Sequence, residues 1–213
     1  MKITKLGHCC LYIEVDGVRI LTDPGTFSEA QNTISPVDIM LITHEHADHM
    51  HVDSVAAVRM NNPEVEIYSN DAVATLLTAA GIPCTILQGS DRLLSQGINL
   101  QACDGQHEEI YESFGQVQNT GYFIADRLFY PGDSFQMPGF PVDILALPVA
   151  GPWCTIGAAI RYALLVKPRV AFPVHDGMIA PERMSIFQAT PERILTEHGI
   201  QFIALKAGDA AEF

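Results

Sequence analysis

The stretch Thr43-His44-Glu45-His46-Ala47-Asp48-His49 follows directly on the apolar run Ile39-Met40-Leu41-Ile42. The run has the length and character of a buried strand. His44 and His46 are two residues apart, so extended backbone would turn both to one side. Asp48 and His49 then fall in the turn leading to the next helical pattern. Four ligand-type side chains within the six residues 44–49 would be costly to bury without a cation. A chain built this way calls for a rigid sheet that ends at a metal site.

Three further residues repeat the design. His107 follows the expected strand Ile98–Cys103 after an expected turn at Asp104-Gly105-Gln106. Asp133 follows Leu128-Phe129-Tyr130 through Pro131-Gly132, and His175 follows Val170–Val174. Each places a ligand-type side chain at the carboxyl end of an apolar strand, where sheet proteins hold reactive loops in register. Five imidazoles (His44, His46, His49, His107, His175) and two carboxylates (Asp48, Asp133) result. This mixture suits zinc first, with manganese or iron as alternatives, rather than calcium or magnesium, which take oxygen shells.

The remaining pattern predicts strands at 3–6, 11–15 and 18–21, the last two joined by the hairpin signal Asp16-Gly17. Further strands are expected at 65–68, 122–125, 144–147 and 202–205. Helical patterns cover Val52–Met60, Asp71–Ala80 (stopped by Gly81 and Pro83) and Thr155–Val166, and Thr190-Pro191-Glu192 predicts the start of a last helix. There is no repeat or linker-like tract, so residues 1–213 read as a single domain. Strands precede helices in each half, which suggests two sheets with helices packed outside.

Composition narrows the function. Hydrophobic residues make up 48% and charged residues 17%, as in globular chains. Twelve basic against 25 acidic residues give a formal charge of −13, which disfavours nucleic acid as a partner. No apolar run reaches the roughly 20 residues of a membrane helix. Met1-Lys2-Ile3-Thr4-Lys5 is not an apolar leader, and five cysteines without paired spacing read as reduced, buried thiols. The expectation is a cytoplasmic protein without a membrane partner; oligomeric state is left open.

The T-H-E-H-A-D-H stretch, the later His107, Gly132-Asp133-Ser134 and Val174-His175-Asp176 together resemble the metallo-β-lactamase superfamily. Leu6-Gly7-His8-Cys9-Cys10-Leu11-Tyr12-Ile13-Glu14, with Leu21-Thr22-Asp23-Pro24, is most similar to the small bacterial branch that includes L-ascorbate-6-phosphate lactonase. The resemblance implies an α/β fold, a four-layer αββα sandwich. It also implies a dinuclear metal-dependent hydrolase, with His44, His46 and His107 on one ion, Asp48, His49 and His175 on the other, and Asp133 bridging. A metal-bridging hydroxide would attack, with Asp48 also acting as a catalytic base. The secreted β-lactamases carry a cysteine in the second metal site, where this chain reads Pro131-Gly132-Asp133-Ser134, and the RNA-processing branches carry large inserted domains. Both departures point away from antibiotics and RNA, and the implied pair of dications, outweighing Asp48 and Asp133, would favour a small, anionic, ester-like substrate such as a lactone or phosphoester. An iron-dependent redox protein, di-iron or sulfur-oxidising, is the alternative on the same ligands.

Other polar residues carry weaker expectations. His8, in a Gly-His-Cys turn, is either a substrate contact, a partner of a ligand, or a turn residue bonded to backbone. Asp23 reads as a turn residue or as a hydrogen-bond partner of a ligating histidine. Trp153 reads as a wall of the substrate pocket or an anchor at the edge of the core. His51 is expected to be solvated at a helix start, and His198 to cap a helix C-terminus.

Overall fold

The computed structural model describes all 213 residues. The first half contains β1 (Lys2–Gly7), β2 (Cys10–Val15), β3 (Val18–Thr22), β4 (Ile39–Leu41), α1 (Val52–Asn61), β5 (Glu66–Ser69), α2 (Asp71–Ala79) and β6 (Thr85–Ile86). The second contains β7 (Arg92–Ser95), β8 (Ile98–Gln106), β9 (Gln118–Ile124), β10 (Leu128–Tyr130), β11 (Ile144–Pro148), α3 (Ile156–Val166), β12 (Val170–Val174), α4 (Met184–Glu197), β13 (Gln201–Phe202) and β14 (Ala210–Glu212). Two seven-stranded mixed sheets result, ordered β14-β1-β2-β3-β4-β5-β6 and β13-β12-β11-β10-β9-β8-β7.

Alternation along the apolar runs explains the layers. In β4 and the residue after it, Ile39 and Leu41 join the core between the sheets, whereas Met40 and Ile42 point outward onto α1 and α2 beside Val55, Val58, Val73 and Leu77. In β11, Ile144 and Ala146 face the inner core, and Leu145 and Leu147 pack outward with Ala159, Ile160 and Ala163 of α3 and Leu195 of α4. Strands covered on both faces have no polar side, which is why these segments read as continuous apolar runs. The product is the four-layer αββα sandwich implied by the resemblance.

Strands β3, β4 and β5 run parallel, as do β10, β11 and β12. Strand β9 is antiparallel to both β8 and β10, so β8 shares the direction of β10. The carboxyl ends of β3, β4, β8, β10, β11 and β12 therefore open onto one rim. At the opposite end, Asp143 accepts from Arg127 and Arg169, tying together the starts of β10, β11 and β12.

Several expectations need correction. Asp104-Gly105-Gln106 is not a turn: β8 continues through it and pairs with Gln118, Asn119 and Thr120 of β9. The last helix begins at Met184, and Pro191 lies inside it. Only one amide donor is missing at that proline, and Gln188, Pro191 and Leu195 form the buried stripe of the helix. The strand expected at 202–205 shrinks to Gln201–Phe202. The short strands β6, β7 and β14 gave no sequence signal. Thr155 caps α3 by accepting from the Ala158 amide, and Lys167, in the left-handed region, ends it. No helix is long and apolar enough to cross a membrane.

Candidate metal centre

The rim gathers all seven residues singled out in the sequence. The donor atoms of His44, His46 and His107 lie within 4.8 Å of one another, as do those of His44, His49 and Asp133. Asp133 sits between the two sides of the cluster. Its Oδ2 is 3.2 Å from His107 Nε2 and 2.9 Å from His175 Nε2, and its Oδ1 is 3.0 Å from His49 Nε2. Asp48 Oδ2 lies 3.6 Å from His175 Nε2 and 4.0 Å from His49 Nε2.

Local backbone explains these placements. Gly132 has φ +66°, and a Cβ there would come within 2.3 Å of Asn119 Oδ1. Asn119 grips the same turn, accepting from the Asp133 amide at 2.9 Å and donating to the Pro131 carbonyl at 2.7 Å. A Cβ on Gly25 would lie 1.8 Å from the Asp48 carbonyl oxygen, so only glycine lets the 23–25 turn close over the metal loop. His8, Asp23 and His175 all have positive φ (35°, 37° and 59°). Such non-glycine residues store strain of about 1–3 kcal/mol each and gather at functional sites.

The imidazoles are oriented from behind. His44 Nδ1 meets Thr43 Oγ1 at 2.9 Å, His49 Nδ1 meets Asp23 Oδ2 at 2.7 Å, His107 Nδ1 meets the Glu108 carbonyl at 2.7 Å, and His175 Nδ1 meets the Ala150 carbonyl at 2.5 Å. With Nδ1 engaged, Nε2 of each ring is left for the interior of the site, the arrangement that metal-binding histidines adopt. Indeed His44 Nε2, His49 Nε2, His175 Nε2 and Asp133 Oδ1 are buried and make no well-aligned hydrogen bond, their near approaches being only to other members of the cluster. Buried polar atoms without well-made hydrogen bonds are rare and costly, and divalent cations bound among them would satisfy all four. The donors therefore fit a metal.

Electrostatics agree. Burial, reinforced by His49, pushes the pKa of His44 well below the usual imidazole value, and burial with His107 lowers that of His46. Neutral rings are the form that binds metal. Burial alone would raise the Asp133 carboxyl, yet His49 and His175 hold it well below the usual range. Conversely, burial opposes protonation of His49, but Asp133 raises its pKa well above the usual value. The buried carboxylate thus demands positive charge, which a metal ion would supply.

His8 is buried; its Nδ1 accepts from the Gly177 amide at 3.0 Å, and its Nε2 faces Asp48 Oδ2 at 3.3 Å. The amide fixes the proton on Nε2, so His8 donates to Asp48. Trp153 lies edge-on to His107 and His175, with ring centroids 5.6 and 5.2 Å apart. His51 stands apart from the cluster at the start of α1, its Nδ1 3.0 Å from Ser54 Oγ. His198 Nδ1 donates to the Ile194 carbonyl at the end of α4. Cys9 was missed: its donor atom lies within 4.8 Å of those of His8, His49 and His175. Burial would raise its thiol pKa, but His8, His49 and His175 pull it down to about 6. The only sequence signal was its place beside His8.

Comparison with known proteins agrees with this geometry. Residues 2–175 match the family described as Beta-lactamase superfamily domain, and the chain belongs to that superfamily. It is 35% identical to protein Rv0786c of Mycobacterium tuberculosis, over 88% of this chain and 89% of that one. It is 28% identical to a UPF0173 metal-dependent hydrolase of Carboxydothermus hydrogenoformans, over 82% and 84% of the two chains. Igni18, a metallo hydrolase from the hyperthermophilic archaeon Ignicoccus hospitalis, shares the fold at a TM-score of 0.76 and 21% identity, over 100% of this chain and 98% of that one.

Proposed function

We propose that this chain, a metal-dependent hydrolase of the metallo-β-lactamase fold, works with two divalent transition-metal ions on a small ester-like substrate, a lactone or phosphoester. The observation that carries this reading is the set of buried donors on His44, His49, His175 and Asp133, which converge on one another yet make no well-aligned hydrogen bond. His44, His46 and His107 would hold one ion, Asp48, His49 and His175 the other, and Asp133 both. Zinc suits this nitrogen-rich set first, manganese or iron next. When bound, the ions supply an activated water as nucleophile and polarise the substrate oxygen under attack.

The chain's own groups then orient and exclude. Burial would raise the pKa of Asp48, but the hydrogen bond from His8 and the nearby His49 and His175 outweigh it and lower it. Asp48 thus stays ionised, able to align the attacking water and take its proton in passing. His8 fixes the Asp48 carboxylate, and Trp153 shields His107 and His175 from bulk water. A polar or anionic reacting end would be drawn to the metals, whose charge exceeds that of Asp48 and Asp133 together. Both halves of residues 1–213 supply donors to one centre, so they act as one domain. Five free thiols suit a reducing cytoplasm.

The test is a screen of lactones, phosphoesters and thioesters with metal-loaded protein, with and without chelator. Chelator-sensitive hydrolysis of a lactone or phosphoester supports the reading. Bound iron with visible colour and oxygen consumption, and no hydrolysis, would instead establish the redox alternative.

A further inference from the structure

The donor cluster opens onto a cleft of about 310 Å³. Its floor is formed by His46, Asp48, His107, Asp133 and His175, and its apolar walls include Phe27, Ile110, Pro152, Trp153 and Met178. None of the 12 residues lining it is lysine or arginine. A charged group reaching away from the metals would meet no opposite charge there, and it would lose hydration against apolar walls. The formal charge of −13 would further oppose an anionic tail.

The walls are built to receive something apolar. Trp153 is braced from behind by Phe135, at a centroid separation of 5.5 Å. Phe27 packs against His8 at 5.1 Å yet is 49% exposed, and Met178 is 46% exposed. These exposed apolar groups ring one opening, whereas scattered ones would carry no meaning. Met178 also lines an adjoining cleft of about 460 Å³, whose other walls include Ile179, Ala180 and Phe187. Its one cation, Arg183, is exposed to solvent. Met178 is the residue that the two clefts share, so a longer apolar arm leaving the first cleft meets the second at Met178.

We propose that the part of the substrate not in contact with the metals is an uncharged apolar arm, alkyl or aryl, held by Phe27, Ile110, Trp153 and Met178. This rests on the hydrolase reading above and refines it: the metals take the reacting carbonyl or phosphoryl group, and the walls select the rest. Phosphorylated tails are then disfavoured, and specificity grows with apolar length.

Two measurements test the proposal, one of them independent of turnover. The first compares kcat/KM for γ-lactones whose alkyl arm lengthens from methyl to hexyl with that for a γ-lactone bearing a phosphomethyl arm. A rise of about three- to fourfold per buried methylene is expected, with the phosphomethyl compound slowest. Met178→Lys should flatten the series and favour the phosphomethyl compound. The second uses Trp153, the single tryptophan of the chain, as a reporter in metal-free protein. Octanamide should shift its emission in a saturable way, and 6-phosphogluconate should not. The proposal is overturned by a flat series, by a phosphomethyl lactone that outruns the alkyl ones, or by 6-phosphogluconate rather than octanamide perturbing Trp153. Absence of any lactone hydrolysis would remove lactones from the substrate class alone, and the tryptophan titration would still decide the chemistry of the cleft.

Discussion

Asp23 and His49 face each other fully buried, the imidazole Nδ1 donating to the carboxylate Oδ2 at 2.7 Å. The same oxygen accepts from Thr43 Oγ1 at 2.8 Å and from Tyr130 OH at 2.5 Å. Since the Thr43 hydroxyl is spent on Asp23, its oxygen accepts from His44 Nδ1. One carboxylate thereby sets the proton position on two rings of the proposed metal centre. Asp23→Asn should weaken metal binding by about 10- to 100-fold, as read by competition with a chelator. His51→Ala, at a site removed from the cluster, should leave the affinity unchanged; equal affinities in the two variants would break the link.

Asp133 is the one carboxylate within reach of both sides of the cluster, and its removal leaves buried donors and bound cations uncompensated. Asp133→Ala should lower turnover by at least about 100-fold, a barrier increase of roughly 2.7 kcal/mol. His51→Ala should be near wild type. Comparable rates for the two would mean that the bridging assignment is wrong.

Much of this centre was readable before the fold was known, for a physical reason. Six consecutive residues carry four of the donors, and no packing role explains so many polar groups after a buried strand. The layers were readable because β4 and β11 are apolar on both faces. Other features depend on the meeting of distant segments. Cys9 reaches His175 only because the sheets close face to face, and nothing local announces it. Pro191 gave a true local preference for a helix start, which the buried stripe of α4 overrode. Gly105 gave a turn signal, although pairing with β9 keeps that segment extended. The short strands β6, β7 and β14 exist through their neighbours rather than through their own residues.

Lys5 is fully buried and donates to Asp176 Oδ2 at 2.6 Å and to the Pro173 carbonyl at 2.8 Å. This pair pins the start of the chain to the segment carrying His175. Lys5→Met should cost about 3–5 kcal/mol in urea unfolding, because Asp176 is left buried and unpaired. The double variant Lys5→Met/Asp176→Leu should recover much of the loss. Additive destabilisation in the double variant would show that the pair itself is not the cause.

Asp143 gives a pH signature away from the metals. The hydrogen bond from Arg169 lowers its pKa, and, although burial opposes this, the hydrogen bond from Arg127 adds to the lowering. A depressed native pKa means that the stabilisation is present above the unfolded value of about 3.9 and disappears as pH falls through the lower native value. Asp143→Asn should therefore lower Tm at neutral pH, by a few degrees at most because the pair is partly exposed. The deficit should shrink as pH falls below the unfolded value and vanish once it is below the lower native one. A deficit that persists unchanged in acid would assign the effect to packing.

The most direct test of the proposed two-metal centre is the number of ions per chain in native, metal-replete protein, counted by elemental analysis against protein concentration. Seven converging donors exceed what one tetrahedral ion can take, so about two transition-metal ions per chain are expected. His44→Ala and His46→Ala should each reduce this towards about one ion, since the remaining donors still serve the other position. A wild-type plateau at one ion per chain, however much metal is supplied, would contradict the account.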